Sequence, residues 1–212
     1  MLTLYGCHGC GSVIVEAACT LLAEPYRFVV VEPWTEGPER ERLRAVNPLL
    51  QVPTLELPDG TVMTESVAML LWLLERHPGS GLAPDPGEPL RPAFLRWLVY
   101  FPAAIYPMYT VGDFPDQWVE GDEAQARLKQ ATMARTLRCW RALEQGTQGL
   151  GTDWLLGDRM SLLDLYAAML SHWEPGREQI RAAAPRAVAC AERAEADPRL
   201  LDLWTRNFPP KN

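Results

Sequence analysis

Five prolines stand between residues 78 and 92, at positions 78, 84, 86, 89 and 92, with glycines at 79, 81 and 87 among them. A proline lacks a backbone N–H and holds its φ at about −65°, so neither a helix nor a central strand runs through this stretch. The 212-residue chain is therefore expected to fold as a domain over residues 1–78 and another over 90–212, with 79–89 as the linker. Both fall within the common domain range of about 50 to 250 residues.

The two sides of the linker carry different periodicities. Residues 2–5 form a short apolar run into Gly6, Gly9 and Gly11, which predicts a strand and a turn. After Ser12, a natural N-cap, Val13, Ala17 and Leu21 recur at helical spacing with Ile14, Ala18 and Leu22 beside them. Residues 26–32 (YRFVVVE) are β-branched and aromatic, as strands are, and residues 40–46 read as a short helix. Runs at 54–57 and 61–63 flank Pro58-Asp59-Gly60, a hairpin pattern. Ser66 then opens an apolar helix through Val67, Leu70, Leu71 and Leu74 that ends near His77. The first part thus reads β-α-β-α-β-β-α. Beyond the linker, residues 90–109, 123–143, 161–172 and 178–195 all show helical spacing, so the second domain is expected to be all-helical.

Charge and cysteine usage narrow the classes of partner. Twenty Lys and Arg are scattered among 27 Asp and Glu, a net charge of −7 without a basic block able to track a phosphate backbone, so nucleic acid is not expected. No apolar run approaches the roughly 18 residues that span a bilayer, and MLTLYGCHGCGS lacks the pattern of a signal peptide. A cytoplasmic protein without membrane attachment is expected. Five cysteines, at 7, 10, 19, 139 and 190, form no secreted disulfide framework and suit a reducing compartment. No second Cys or His pair matches Cys7-His8-Gly9-Cys10 in spacing, so no metal is expected.

Two stretches carry recognition chemistry. In Gln51-Val52-Pro53-Thr54 a cis bond before Pro53 leaves the N–H and C=O of Val52 free to pair, antiparallel, with an extended peptide; otherwise Pro53 simply starts a strand at a sheet edge. In Met63-Thr64-Glu65-Ser66-Val67 the unpaired N–H groups of a helix start and the Ser66 hydroxyl converge on a point suited to a carboxylate. Glu65 beside it can take an ammonium group. The alternative is plain capping by Thr64 or Ser66.

Taken together, NPLLQVPTLELPDGTVMTES resembles the glutathione-site signature of cytosolic, bacterial-type glutathione transferases: asparagine-proline, a lysine or glutamine, valine-proline, then a hairpin ending in glutamate-serine. The resemblance implies a thioredoxin-like N-terminal domain followed by an all-helical C-terminal domain. It further implies that Val52, beside a cis-Pro53, holds the cysteinyl backbone of glutathione, that Glu65 and Ser66 take its γ-glutamyl end, and that the protein is a homodimer. Ser161 and Asp164, in GDRMSLLD, match a buried capping box that serves folding.

In the turn after the first strand, such transferases place a tyrosine, serine or cysteine against the glutathione sulfur. Ser12 can donate its hydroxyl to the thiolate, and Cys10, at the same helix start, can form a mixed disulfide. Cys7 and Cys10 also have the spacing of a redox pair, and cysteines that merely fill a loop are the remaining reading. The run YFPAAIYPMY, broken by Pro102 and Pro107, predicts a kinked aromatic helix. By resemblance it lines the second-substrate pocket, with Tyr106 and Tyr109 facing a small-molecule electrophile or else packing in the core. The expected function is conjugation of the glutathione thiolate to an apolar electrophile. The alternatives are a glutathione-dependent thiol-disulfide oxidoreductase using Cys10 and a binding module that keeps the fold without the chemistry.

Overall fold

Strand β1, Leu2–Gly6, buries Leu2, Leu4 and Tyr5, the near-continuous burial of a strand covered on both faces. In the computed structural model, which describes residues 1–209, it is central. It pairs in parallel with β2, Tyr26–Val30, and antiparallel with β3, Thr54–Glu56; β4, Val62–Met63, completes the order β2-β1-β3-β4. Helix α1, Val13–Leu21, packs on α3, Ser66–Arg76. Successive strand side chains alternate between faces, so Tyr5 turns to the opposite face. There it joins Val31 and Leu43, the latter on α2, Pro38–Val46. The hairpin turns as expected, with Gly60 at φ 86° and the Thr61 N–H donated to Asp59 Oδ1 at 2.9 Å.

These elements form one compact unit, Met1–Ser80 together with residues 195–209; Gly81–Ala194 form the other. The thioredoxin-like architecture and the helical second part agree with the sequence reading. The sequence places the C-terminal segment in the helical domain, whereas α10, Leu201–Asn207, packs on α1 in the first unit. Leu203 and Trp204 supply its buried face.

The second unit contains α4, Arg91–Tyr100, a π-helical stretch at Phe101–Ile105, α5, Tyr106–Asp113, α6, Asp122–Gly146, α7, Leu162–Ser171, α8, Arg177–Ala183, and α9, Pro185–Glu195. The single kinked helix expected over 90–109 is instead two helices joined by the π-helical stretch. Pro102 and Pro107 each delete an N–H from the ordinary ladder, and the Tyr106 N–H reaches back to the Phe101 carbonyl. Likewise the helix expected over 178–195 divides at Ala184, because Pro185 opens a new helix and cannot continue an old one. Glu144 on α6 accepts from the N–H groups of Arg186 and Ala187 at 3.1 and 3.0 Å, satisfying the start of α9.

Every residue of α7 is buried, and its N-terminus is fixed as the sequence predicts. The Asp164 carboxylate accepts from the Ser161 N–H at 2.8 Å and the Ser161 hydroxyl at 3.0 Å, while its other oxygen takes the Leu155 N–H at 2.8 Å. Although Asp is shorter than the usual Glu or Gln of a capping box, it reaches both the cap and the preceding loop. Residues 82–84, in the expected linker, are buried, and the Leu82 carbonyl accepts from the Leu162 N–H at 2.9 Å. Among the described residues no helix is long and apolar enough to cross a membrane.

Candidate functional site

Sheet register carries three distant segments of the first unit to one end. Tyr5 faces Thr54 across β1 and β3, and Leu55 faces Met63 across β3 and β4. The turn leaving β1, the Val52–Pro53 bond entering β3 and residues 64–66 leaving β4 therefore emerge side by side. Of the residues singled out in the sequence, Cys10, Ser12, Val52, Pro53, Glu65 and Ser66 are gathered here.

The Val52–Pro53 peptide is cis, and a side-chain network shapes the loop before it. Asn47, 3% exposed, donates from Nδ2 to the Gln51 carbonyl at 3.1 Å and to Thr54 Oγ1 at 2.9 Å, and its Oδ1 accepts from the Leu49 N–H at 3.1 Å. The Thr54 hydroxyl donates to the same Gln51 carbonyl at 2.8 Å. Asparagine suits this place because its amide can mimic a backbone turn. Val52 is half-buried, its side chain packed against the Tyr5, Val31 and Leu43 cluster.

Glu65 occupies the N-cap of α3 with φ 64° and ψ 103°, a backbone region that L residues rarely adopt, and its side chain makes no capping bond. Such a conformation costs of order 1 to 3 kcal/mol and clusters at ligand clamps. The carboxylate is exposed, and Ser66 beside it is half-buried. Capping by Thr64 does not explain the motif, since the cap position falls on Glu65.

In the turn, Cys7 and Cys10 form a disulfide with their Cα atoms 5.5 Å apart. Cys7 is 3% exposed, whereas Cys10 is half-buried. Ser12 stands at the N-cap of α1 but makes no capping bond; it is fully buried and gives its hydroxyl proton to the Cys7 carbonyl at 3.1 Å. A methyl group on Gly6 would overlap Ser12 and come within 2.8 Å of the Phe28 ring, so this packing requires glycine. Tyr5 is buried and donates to Glu56 at 3.1 Å.

The C-terminal segment supplies what the sequence reading missed. Asn207 Oδ1 accepts from the Gly9 N–H inside the disulfide turn at 3.0 Å, and the Asn207 amide is itself held by the Leu203 carbonyl. Next to it, Arg206 pairs at 2.8 Å with Glu16, a carboxylate on α1 with no exposed surface. Burial pushes the Glu16 carboxyl above its ordinary range, with Arg206 pulling against that shift. No local motif signals these contacts, which join residues nearly the whole chain apart.

In the helical unit, Tyr109 is buried, donates to the Leu170 carbonyl at 3.1 Å and accepts from the Trp140 indole at 3.2 Å. Its hydroxyl is thus committed to the core, against the expectation that it faces a substrate. Tyr106 is half-buried and meets Trp173 edge-on at 5.2 Å, and burial pushes its hydroxyl up to about 12.

Residues 4–81 match the family described as glutathione S-transferase, N-terminal domain. An uncharacterised GST-like protein of Escherichia coli K12, YncG, is 35% identical over 208 residues, which is 98% of each chain. A glutathione transferase homologue from Sulfitobacter, solved with bound glutathione, superposes with a TM-score of 0.82 at 26% identity over 96% of each chain. A glutathione transferase from Methylococcus capsulatus superposes with a TM-score of 0.77 at 28% identity over 96% of this chain and 97% of that one. With a relative this similar over its whole length and a sheet that assembles the expected segments at one end, the chain belongs to the glutathione S-transferase family.

Proposed function

We propose that this protein is a cytoplasmic, homodimeric glutathione transferase that conjugates the glutathione thiolate to an apolar electrophile. The observation that carries the reading is the convergence of the Val52 main chain and the start of α3 at one end of the sheet, with Glu65 in a strained backbone conformation at the junction. An extended tripeptide fits that arrangement: its cysteinyl backbone pairs with Val52 beside Pro53, its γ-glutamyl carboxylate meets the N–H groups and hydroxyl at Ser66, and its ammonium meets Glu65. A Sulfitobacter homologue that binds glutathione supports this ligand.

The thiol is delivered to the turn before α1, where helix N–H groups favour an anion. Between the two candidates there, Cys10 in its reduced form takes the contact with the sulfur, because it is only half-buried while the Ser12 hydroxyl is fully buried and committed to the Cys7 carbonyl. Conjugation is then attack by a positioned, desolvated thiolate. Tyr106 lines the electrophile pocket in this reading, and Tyr109 supports it from the core.

Steady-state kinetics with glutathione and a nitro-activated aryl chloride test the proposal. Glu65→Ala removes a charge-assisted contact of about 1.5 to 3 kcal/mol, which corresponds to a rise of about 10- to 150-fold in KM for glutathione. The KM for the aryl chloride is expected to stay within about twofold. Absence of enzyme-dependent conjugation with this and other apolar electrophiles points instead to a module without transferase chemistry.

A further inference from the structure

We propose that Cys7 and Cys10 are a redox-cycled pair, reduced by glutathione and reoxidised by a low-molecular-weight disulfide, with Cys10 as the attacking sulfur and Cys7 as the resolving one. For its reductant this inference rests on the glutathione site proposed above. It adds a second activity to the same turn.

Exposure assigns the roles. Cys7 directly follows the central strand β1 and is 3% exposed, so an incoming thiolate reaches only Cys10. Cys10 lies within the turn that opens α1, and its carbonyl accepts from the Val13 N–H at the helix start at 3.2 Å. The bond spans a sequence separation of three. A loop so short removes little freedom from the unfolded chain, which leaves a purely structural crosslink with little to do. The turn is also braced independently of the sulfurs: Asn207 holds the Gly9 N–H, and the Ser12 hydroxyl holds the Cys7 carbonyl. Opening the bond therefore leaves Cys7 poised beside Cys10.

The cycle balances. A glutathione thiolate attacks Cys10 Sγ; the Cys7–Cys10 bond breaks, a Cys10–glutathione disulfide forms, and Cys7 leaves as thiolate and takes up the proton released by the glutathione thiol. A second glutathione thiolate attacks the glutathione sulfur of that mixed disulfide, releasing Cys10 and glutathione disulfide. Two electrons have passed from two glutathiones to the pair. The Cys10 thiolate then attacks the substrate disulfide, expelling one thiol, and Cys7 attacks Cys10 Sγ, expelling the second thiol and remaking the bond. Cys19, Cys139 and Cys190 are all buried, and burial pushes the thiols of Cys19 and Cys190 up to about 12 and about 11. They remain silent to reagents in the native protein.

The test equilibrates the native protein in glutathione buffers of stepped redox ratio, blocks accessible thiols with a maleimide and reads intact mass. Wild type is expected to pass from no added label to two labels, and Cys7→Ser to accumulate one glutathionyl group on Cys10. With hydroxyethyl disulfide as substrate, Cys10→Ser is expected to lower glutathione-dependent turnover by about a hundredfold or more. A pair that stays closed at every ratio, or a Cys7→Ser protein that takes up no glutathione, overturns the proposal. Dithiothreitol and S-methylglutathione controls separate the two readings. Opening by dithiothreitol but not by glutathione overturns the glutathione step, and S-methylglutathione binding in that protein shows that the glutathione site itself stands.

Discussion

Asp164→Ala is expected to lower the stability of the native protein by about 3 to 5 kcal/mol, measured by chemical denaturation, because two buried backbone N–H groups lose their acceptor at about 1 to 3 kcal/mol each. Those groups belong to Leu155 and Ser161, and the same carboxylate also takes the Ser161 hydroxyl. Asp164 has no exposed surface, so water cannot replace it without a cavity opening. Burial pushes its carboxyl up, and the backbone and hydroxyl donors pull it back. Asp164→Asn keeps one oxygen acceptor and is expected to cost about 1 to 3 kcal/mol. Equal stability of the alanine variant and wild type contradicts the assignment of this box as the anchor of α7.

Arg206→Ala is expected to cost about 2 to 3 kcal/mol at about pH 8 and distinctly less at about pH 5. Breaking a fully buried ion pair costs about 3 to 5 kcal/mol; the lower figure applies here because water already screens half of the arginine. Arg206 is 45% exposed at its side chain and Glu16 is 0% exposed. The pH dependence follows from burial, the largest influence on Glu16, which raises its carboxyl above the unfolded value while Arg206 and His8 lower it. The Tyr26 hydroxyl, 3.5 Å from the carboxylate, and the Asn207 side chain, which also lowers it, are further polar neighbours. A raised carboxyl means that the folded state holds this proton to higher pH than the unfolded chain does. Its contribution is complete below the unfolded pKa and is lost as pH rises through the folded one. Removing Arg206 raises the folded value further, so the deficit of the variant grows with pH across that window. Denaturation curves of both proteins at the two pH values check the sign, and a deficit that shrinks with rising pH contradicts it.

These two sites differ in how far the sequence reveals them. Ser161 and Asp164 are three residues apart before an apolar run, a local pattern with a local physical meaning, and the capping box forms as read. The β-α-β-α-β-β-α order was legible for the same reason, since alternation, helical spacing and Pro58-Asp59-Gly60 all act over a few residues. The pairing of Glu16 with Arg206, 190 residues away, and of Gly9 with Asn207, 198 residues away, has no such signature. It arises because α10 returns to α1, a choice made by tertiary packing.

Ser12 shows a subtler limit. Its position before a helix is correctly read as an N-cap, yet its hydroxyl is drawn to the Cys7 carbonyl by the fold of the turn. Tyr109 is similar: spacing places it on an aromatic helix but does not reveal that Trp140 and Leu170 claim its hydroxyl. The aromatic helix itself illustrates two prolines accommodated by a π-helical stretch, where the sequence indicated only a kink.

The central claim is that the sheet end formed by Val52, Glu65 and Ser66 receives glutathione, and S-methylglutathione, which has no free thiol, tests it apart from any chemistry of the cysteines. The account predicts saturable binding by calorimetry, with native stability rising by about 2.7 kcal/mol at a hundredfold excess over the dissociation constant, and with affinity falling at least about tenfold in Glu65→Ala. No binding at millimolar ligand, or equal affinity in the Glu65→Ala protein, contradicts it.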